Sequence, residues 1–451
     1  MKNNLFFEAE KVRKNLIDEF PLHSHDLRYP LSVAYIWPTK YCPLGCAHCM
    51  YASPKLQEID KKMILSRKAI ENFIHISKMG KLDSLVISGG GEPMLEWETV
   101  QTLVRDASYD FCEVITSGYF LVNDDLTKKY LSGLQKVLSN RKKKKKSHNF
   151  CLRISIDEYH QKVVKLEWIK KLIFLLKEDA GLPHDKRSYP DIKLYFRTLL
   201  IEDKTVEELA ELTGAHLTSM ENYERQLIFD DKKNPPFSLS VMYKDMRFVG
   251  RGKSAKVKTL IGFDQYFESY TKKENDVQLG MGGSYVKHGL KHKLIKGVDV
   301  FVTHEGDVLP YGGVGDIDFN LYKSKNYKLL LTKLFKDIIS RTLLLKGLHH
   351  IEEIDMEVDP HVFERVRNKN WLASVADESL ATAAQRLYVT IRLFQTYINS
   401  GELKQEELSP YAKKIISIPK ANLQNEFRDY MQKAKHIIFS YANERSEKIA
   451  D

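Results

Sequence analysis

Between Leu31 and Lys253 short apolar runs alternate with longer stretches of helical period. That alternation restricts the chain more than any other feature, because strand–helix–strand repeats pair in parallel and need both faces of their sheet covered. The spacing predicts strands at Val33–Trp37, Ser84–Ser88, Cys112–Thr116, Leu152–Ile156, Ile192–Leu200 and Ser238–Val241. Ser66 is the predicted N-cap of the first intervening helix, Ile70, Phe73 and Ile74 form its inward stripe, and Gly80 stands where a left-handed C-cap falls. Further helices are predicted near Trp97–Ala107, Asp124–Leu138, Leu166–Glu178 and Thr205–Leu212.

Six such repeats are fewer than a closed barrel needs, so the expected fold class is α/β, a partial (β/α)6 TIM-like barrel over residues 31–253. After Lys253 the pattern becomes glycine-rich and β-like, through LGMGGSYVKHG and then VDVFVTHEGDVLPYGGVGDIDF, whose EGD is a hairpin turn signal. Beyond Asn326 helices dominate: Leu330, Leu331, Leu334, Phe335, Ile338 and Ile339 mark one helix ending near Gly347, and Leu380–Ile398 and Leu423–Tyr441 mark two more. The expected units are an N-terminal segment (1–30), the barrel (31–253), a small β-containing extension (254–326) and a C-terminal helical region (327–451).

With 43% hydrophobic and 29% charged residues the chain reads as globular. No apolar run approaches the roughly 18 residues a membrane span needs, and the first thirty residues lack the order of a secretory signal. A cytoplasmic protein with no membrane partner is the expectation. The net charge of +10 owes half its excess to Lys142–Lys146. We read that run as a solvated loop, since no aromatic residues are interleaved to stack bases and a nucleic-acid partner is therefore not expected.

Three of the five cysteines crowd into W-P-T-K-Y-C-P-L-G-C-A-H-C-M-Y, as Cys42, Cys46 and Cys49, directly after the first strand, where active sites of β/α barrels gather. Thiolates are soft ligands that suit iron–sulfur clusters and zinc. Three of them hold three corners of an iron–sulfur cube and leave one iron without a protein ligand. For structural zinc the usual fourth Cys or His is missing, and His48 is adjacent to Cys49, a poor placement for a shared tetrahedral ion.

A second motif, L-V-I-S-G-G-G-E-P-M-L, follows the second strand. Gly89, Gly90 and Gly91 let backbone approach a ligand closely, either an ammonium group accepted by Glu92 and neighbouring carbonyls, or a phosphate. Together the motifs resemble the radical S-adenosylmethionine (SAM) superfamily, whose hallmark is Cys-x3-Cys-x2-Cys. The resemblance implies one [4Fe–4S] cluster on Cys42, Cys46 and Cys49, and SAM cleaved to a 5′-deoxyadenosyl radical. It implies His48 beside the adenine, Gly89, Gly90, Gly91 and Glu92 at the amino end, and the turn at Thr116, Ser117 and Gly118. Ser155 and Asp157 share a face at the end of the fourth strand and fit the SAM carboxylate and ribose. Arg197, a cation in an otherwise apolar strand, requires either that carboxylate or a structural acid.

The region around V-T-H-E-G-D-V-L-P-Y resembles a degenerate SPASM/twitch-like extension of that superfamily, with R-F-V-G-R-G-K just before it. Tyr311, Gly312 and Gly313 stand where a cluster cysteine follows the proline in such extensions, and no cysteine occurs after Cys151, so C-terminal thiols ligate no auxiliary cluster. Redox-neutral chemistry gains weight from this. Tyr119, Tyr159 and Tyr311 are candidate catalytic donors or relays near the mouth; Cys112 and Cys151 read as buried small hydrophobes. The expected substrate is a peptide or small-molecule natural-product intermediate. A sugar or aminocyclitol is the alternative, and a flavodoxin- or ferredoxin-like reductase is the expected electron donor. A metal-containing nucleic-acid-binding protein is the rival of another class.

Overall fold

The computed structural model describes residues 5–49, 51, 53–54, 63–201, 204–221, 223–230, 237–244, 297–310, 317–346, 349–360, 380 and 382–447. Its strands in chain order are β1 Leu31–Ile36, β2 Ser84–Ile87, β3 Phe111–Thr116, β4 Phe150–Ser155, β5 Lys193–Leu199, β6 His216–Leu217, β7 Glu224–Phe229, β8 Phe237–Lys244, β9 Val298–Val302 and β10 Val308–Pro310. They form one 10-stranded sheet in the order β10-β9-β1-β2-β3-β4-β5-β8-β7-β6. Every pairing from β9 through β1 to β5 and on to β8 is parallel, while β10, β7 and β6 add antiparallel edges.

The helices are α1 Ala9–Glu19, α2 Arg67–Met79, α3 Trp97–Asp106, α4 Asp124–Lys143, α5 Glu158–Gln161, α6 Leu166–Ala180, α7 Thr205–Thr213, α8 Tyr327–Lys336, α9 Ile338–Leu345, α10 His349–Met356, α11 Ala383–Asn399, α12 Pro410–Ile416 and α13 Lys420–Glu447. The architecture is thus the α/β class expected, with β-α repeats from β1 to β5. The central strands are nearly continuous apolar runs; all four residues of β2 are buried, as a strand covered on both faces requires.

Three local expectations change, and one strand, β7, was not among those expected. Gly80 caps α2 in a right-handed conformation, φ −80°. A side chain there would press on the Leu31 side chain at 2.8 Å, so close packing rather than backbone handedness explains the glycine. The strand Val298–Val302, expected in the extension, hydrogen-bonds in parallel to β1. β7 was invisible to periodicity because its first three residues, Glu224, Arg225 and Gln226, are polar and half-buried. The helix expected through Leu330–Ile339 is two helices, broken at Asp337, whose carboxylate caps α9 by accepting from the Ile339 N–H. The segments LGMGGSYVKHG and R-F-V-G-R-G-K lie outside the described residues, as do Tyr311 and Gly347.

A second core joins α1 to the C-terminal helices, with Phe6, Leu16 and Phe20 packed among Leu387, Phe394 and Phe427. Asp337 ties the two ends of the chain together, receiving a 2.6 Å hydrogen bond from the Arg13 guanidinium at a site where both side chains are buried. Removing one member of a buried pair strands its partner's charge. Asp337→Ala is expected to destabilise the protein by about 3–5 kcal/mol in urea titration, whereas a change below about 1 kcal/mol would mean a solvent-screened pair.

Lys142–Lys146 is exposed throughout, as expected of a solvated segment, and its first residues finish α4. Arg141 is buried instead: its guanidinium lies 3.8 Å from the Tyr109 ring centre and donates to the carbonyls of Val104, Arg105, Ala107 and Ser147. Among the described residues no helix is long and apolar enough to cross a membrane.

Candidate active site

The ends of β1 to β5 converge on one cavity, lined in part by Cys42, Cys46, His48 and Cys49 from the loop after β1 and by Gly89–Glu92 from the loop after β2. Within the cysteine loop Gly45 takes φ +63°, a left-handed turn that other residues resist. The Cys49 N–H donates to the Cys46 carbonyl, and the Cys42 N–H to that of Pro54. These bonds fold the loop so that all three thiols, none in a disulfide and each half-buried, border the same space. The Cys46 thiol lies 3.9 Å from the Tyr159 carbonyl and Cys49 Sγ lies 3.8 Å from Ser53 Oγ.

Three thiolates on one tetrahedral zinc stand about 3.8 Å apart, given a Zn–S bond near 2.3 Å. Among the described residues the set whose ligand atoms all fall within 4.8 Å of one another is His48, Asp157 and His160, and the three thiols form no such set. At least one thiol–thiol separation therefore exceeds 4.8 Å, wider than one tetrahedral zinc ion accepts. Burial, then the Glu92 carboxylate, pushes the Cys42 thiol up to about 11. Burial, then the Cys42 thiol and Asp157, pushes Cys46 up to about 12. Both therefore need a cationic partner to ionise near neutral pH, and metal loading releases their protons.

The glycine run is fastened to this loop. The Tyr41 carbonyl accepts from the Glu92 N–H at 2.7 Å, and a Cβ on Gly91 would overlap that same carbonyl. Gly91→Ala is thus expected to push the two loops apart and destabilise the protein by about 1–3 kcal/mol in urea titration; unchanged stability would show that the contact is dispensable. Glu92, 2% exposed, spans two strands. Its Oε1 accepts from the Met94 N–H (3.0 Å) and the Thr116 hydroxyl (2.6 Å), and its Oε2 from the Ser117 N–H (2.8 Å) and hydroxyl (2.5 Å). Those four bonds fill the acceptor sites of a carboxylate. An ammonium group in the cavity falls to the backbone carbonyls of the glycine run, and Glu92 holds that run against β3.

On the far wall stand Ser155, Asp157 and His160 after β4, with Arg197 and Thr198 from β5. Ser155 and Arg197 are register partners. Asp157 caps α5 through the N–H groups of Tyr159 and His160, and its Oδ2 meets His160 Nδ1 at 2.7 Å. Burial alone raises the Asp157 pKa, but His160 outweighs it and holds the carboxyl below the usual range. Burial lowers His160 while Asp157 raises it further, so the imidazole sits above its ordinary value. The His48 ring packs 4.6 Å from the Tyr159 ring and 5.1 Å from His160.

The structure therefore brings together Cys42, Cys46, His48, Cys49, Gly89, Gly90, Gly91, Glu92, Ser117, Ser155, Asp157 and Arg197 around one space. It does not bring Tyr119 or Tyr159 there. Tyr159 is 8% exposed and packs its ring beneath His48, and Tyr119 packs against the barrel core; neither borders the cavity. Tyr311 lies outside the described residues. Among the described residues the tyrosine that does border it is Tyr51, edge-on to Trp37 at 4.7 Å. His160 also escaped sequence reasoning, although its position three residues after Asp157, one turn along a helix, was the available signal.

No family model matches the chain, and the search of curated proteins finds no match. Among solved structures it is similar to polyhistidine-tagged anSMEcpe with bound AdoMet, at 12% identity and a TM-score of 0.41, over 89% of this chain and 99% of that one. It is also similar to Streptococcus suis SuiB bound to precursor peptide SuiA, at 14% identity and a TM-score of 0.37, over 73% of this chain and 70% of that one.

Proposed function

We propose that the chain is a radical SAM enzyme, with a [4Fe–4S] cluster on Cys42, Cys46 and Cys49 and SAM in the adjoining cavity. The observation that carries this reading is the trio of thiols, too widely set for one zinc ion, facing a glycine run fastened to their own loop. When bound, the pair supplies a 5′-deoxyadenosyl radical on one-electron reduction, able to take a hydrogen atom from an unactivated carbon. The chain's part is placement. Glu92 keeps the glycine run in reach of the SAM amino group, and Arg197 with Ser155 meets the carboxylate and ribose. His48, backed by Tyr159, offers a flat ring to the adenine.

Asp157 is engaged by His160 and two backbone N–H groups, so it supports the ribose site chiefly by fixing His160. The substrate in this reading is a peptide or other natural-product intermediate, and the outcome is redox-neutral. A flavodoxin- or ferredoxin-like reductase supplies the electron. Anaerobic protein reconstituted with iron and sulfide, then reduced with dithionite in the presence of SAM, is expected to release 5′-deoxyadenosine. Protein that loads iron but yields none of it would overturn the enzymatic reading.

A further inference from the structure

At the opposite end of the sheet, where β1, β2 and β3 begin, lies a groove of about 930 Å³. Its apolar lining comes from Leu27, Tyr29, Pro30, Met79 and Tyr327, and its charged lining includes Arg28, Lys81, Lys325 and Lys328. Two acids face these four cations: Asp83, which is buried, and Asp110, which is exposed and whose backbone carbonyl accepts from the Ser147 hydroxyl and Asn149. That bond joins the groove to the exposed run Lys142–Lys146, which ends one residue before Ser147. Burial, then the charges of Arg141, Lys78 and Lys144, holds the Lys146 ammonium below its usual range against the pull of Asp106. The groove's four cations outnumber its two acids, the lysine run adjoins them through the Ser147 bond, and the cavity of the cysteines is a strand's length away, about 20 Å for six residues.

We infer that this groove docks an acidic segment of another polypeptide, with apolar side chains on its floor and acidic ones against the lysines. Like charges crowded at one end of a fold cost stability unless a partner neutralises them. The lining also selects the partner. Base stacking needs a free aromatic face, but Tyr29 lies on Phe335 at 5.0 Å between ring centres and the Tyr327 hydroxyl donates to the Tyr29 carbonyl. A bilayer needs a protruding apolar face, whereas here the apolar groups line a concavity. The site lies beyond the proposed cofactor chemistry and does not depend on it.

The test is fluorescence anisotropy on the full chain, reconstituted with iron and sulfide, using a fluorescein-labelled peptide of alternating Glu and Leu. Binding is expected, weakening by about tenfold between roughly 50 and 200 mM NaCl. Replacing the peptide's leucines by glycine is expected to weaken it at least about tenfold more. The triple variant Lys143→Glu, Lys144→Glu, Lys146→Glu and the double variant Lys81→Glu, Lys328→Glu are each expected to lose about tenfold with unchanged circular dichroism. No binding, indifference to leucine, or tighter binding of a single-stranded RNA or of phosphatidylserine vesicles would each overturn the inference. None of these readouts uses SAM cleavage, so the result is independent of that reading.

Discussion

Cys46→Ala protein is expected to fold, to lose its brown colour and bound iron, and to form no 5′-deoxyadenosine when reduced with SAM. The fold survives because Cys46 sits on a loop held by backbone bonds, and removing a half-buried sulfur costs about 1 kcal/mol. Iron is lost because two thiolates cannot hold three corners of a cube. Iron content, the visible spectrum and product chromatography, run beside circular dichroism, check each part. Normal deoxyadenosine formation by this variant would show that the ligands lie elsewhere.

Glu92→Ala is expected to have the next largest effect. It strips acceptors from the Met94 and Ser117 N–H groups and from the Thr116 and Ser117 hydroxyls, all within a buried site. Unsatisfied donors there cost about 3 kcal/mol in total once the hydroxyls have rotated to new partners. SAM affinity is expected to fall by at least about tenfold, because the glycine run loses its tether to β3. Glu92→Gln, which keeps the shape but accepts through one oxygen only, falls between. Urea titration and calorimetry separate the two consequences. A variant that loses stability but keeps full SAM affinity would show that the tether plays no part in the cavity.

What the chain discloses locally, it discloses well. The parallel strands announce themselves as apolar runs at regular intervals, Ser66 caps α2 through its hydroxyl with the Ala69 N–H, and the cysteine and glycine loops stand together because each directly follows a strand. Contacts between distant residues were not legible. Nothing near Asp337 tells that Arg13 pairs with it and that a helix breaks there. Gly80 looks the same in sequence whether it turns left-handed or yields room to Leu31. Strand alternation placed Ser155 and Asp157 at the cavity, but only the folded α5 shows Asp157 spending its oxygens on His160. Tyr119 and Tyr159 become candidates by strand ends alone, a measure too coarse to distinguish a ring that faces the cavity from one that supports His48.

The central claim is a four-iron cube with one iron free for SAM, and Mössbauer spectroscopy of anaerobic, ⁵⁷Fe-reconstituted protein tests it most directly. The prediction is a [4Fe–4S] spectrum in which SAM shifts the signal of a single iron site. A colourless protein holding zinc, or a cluster whose irons all ignore SAM, would contradict it.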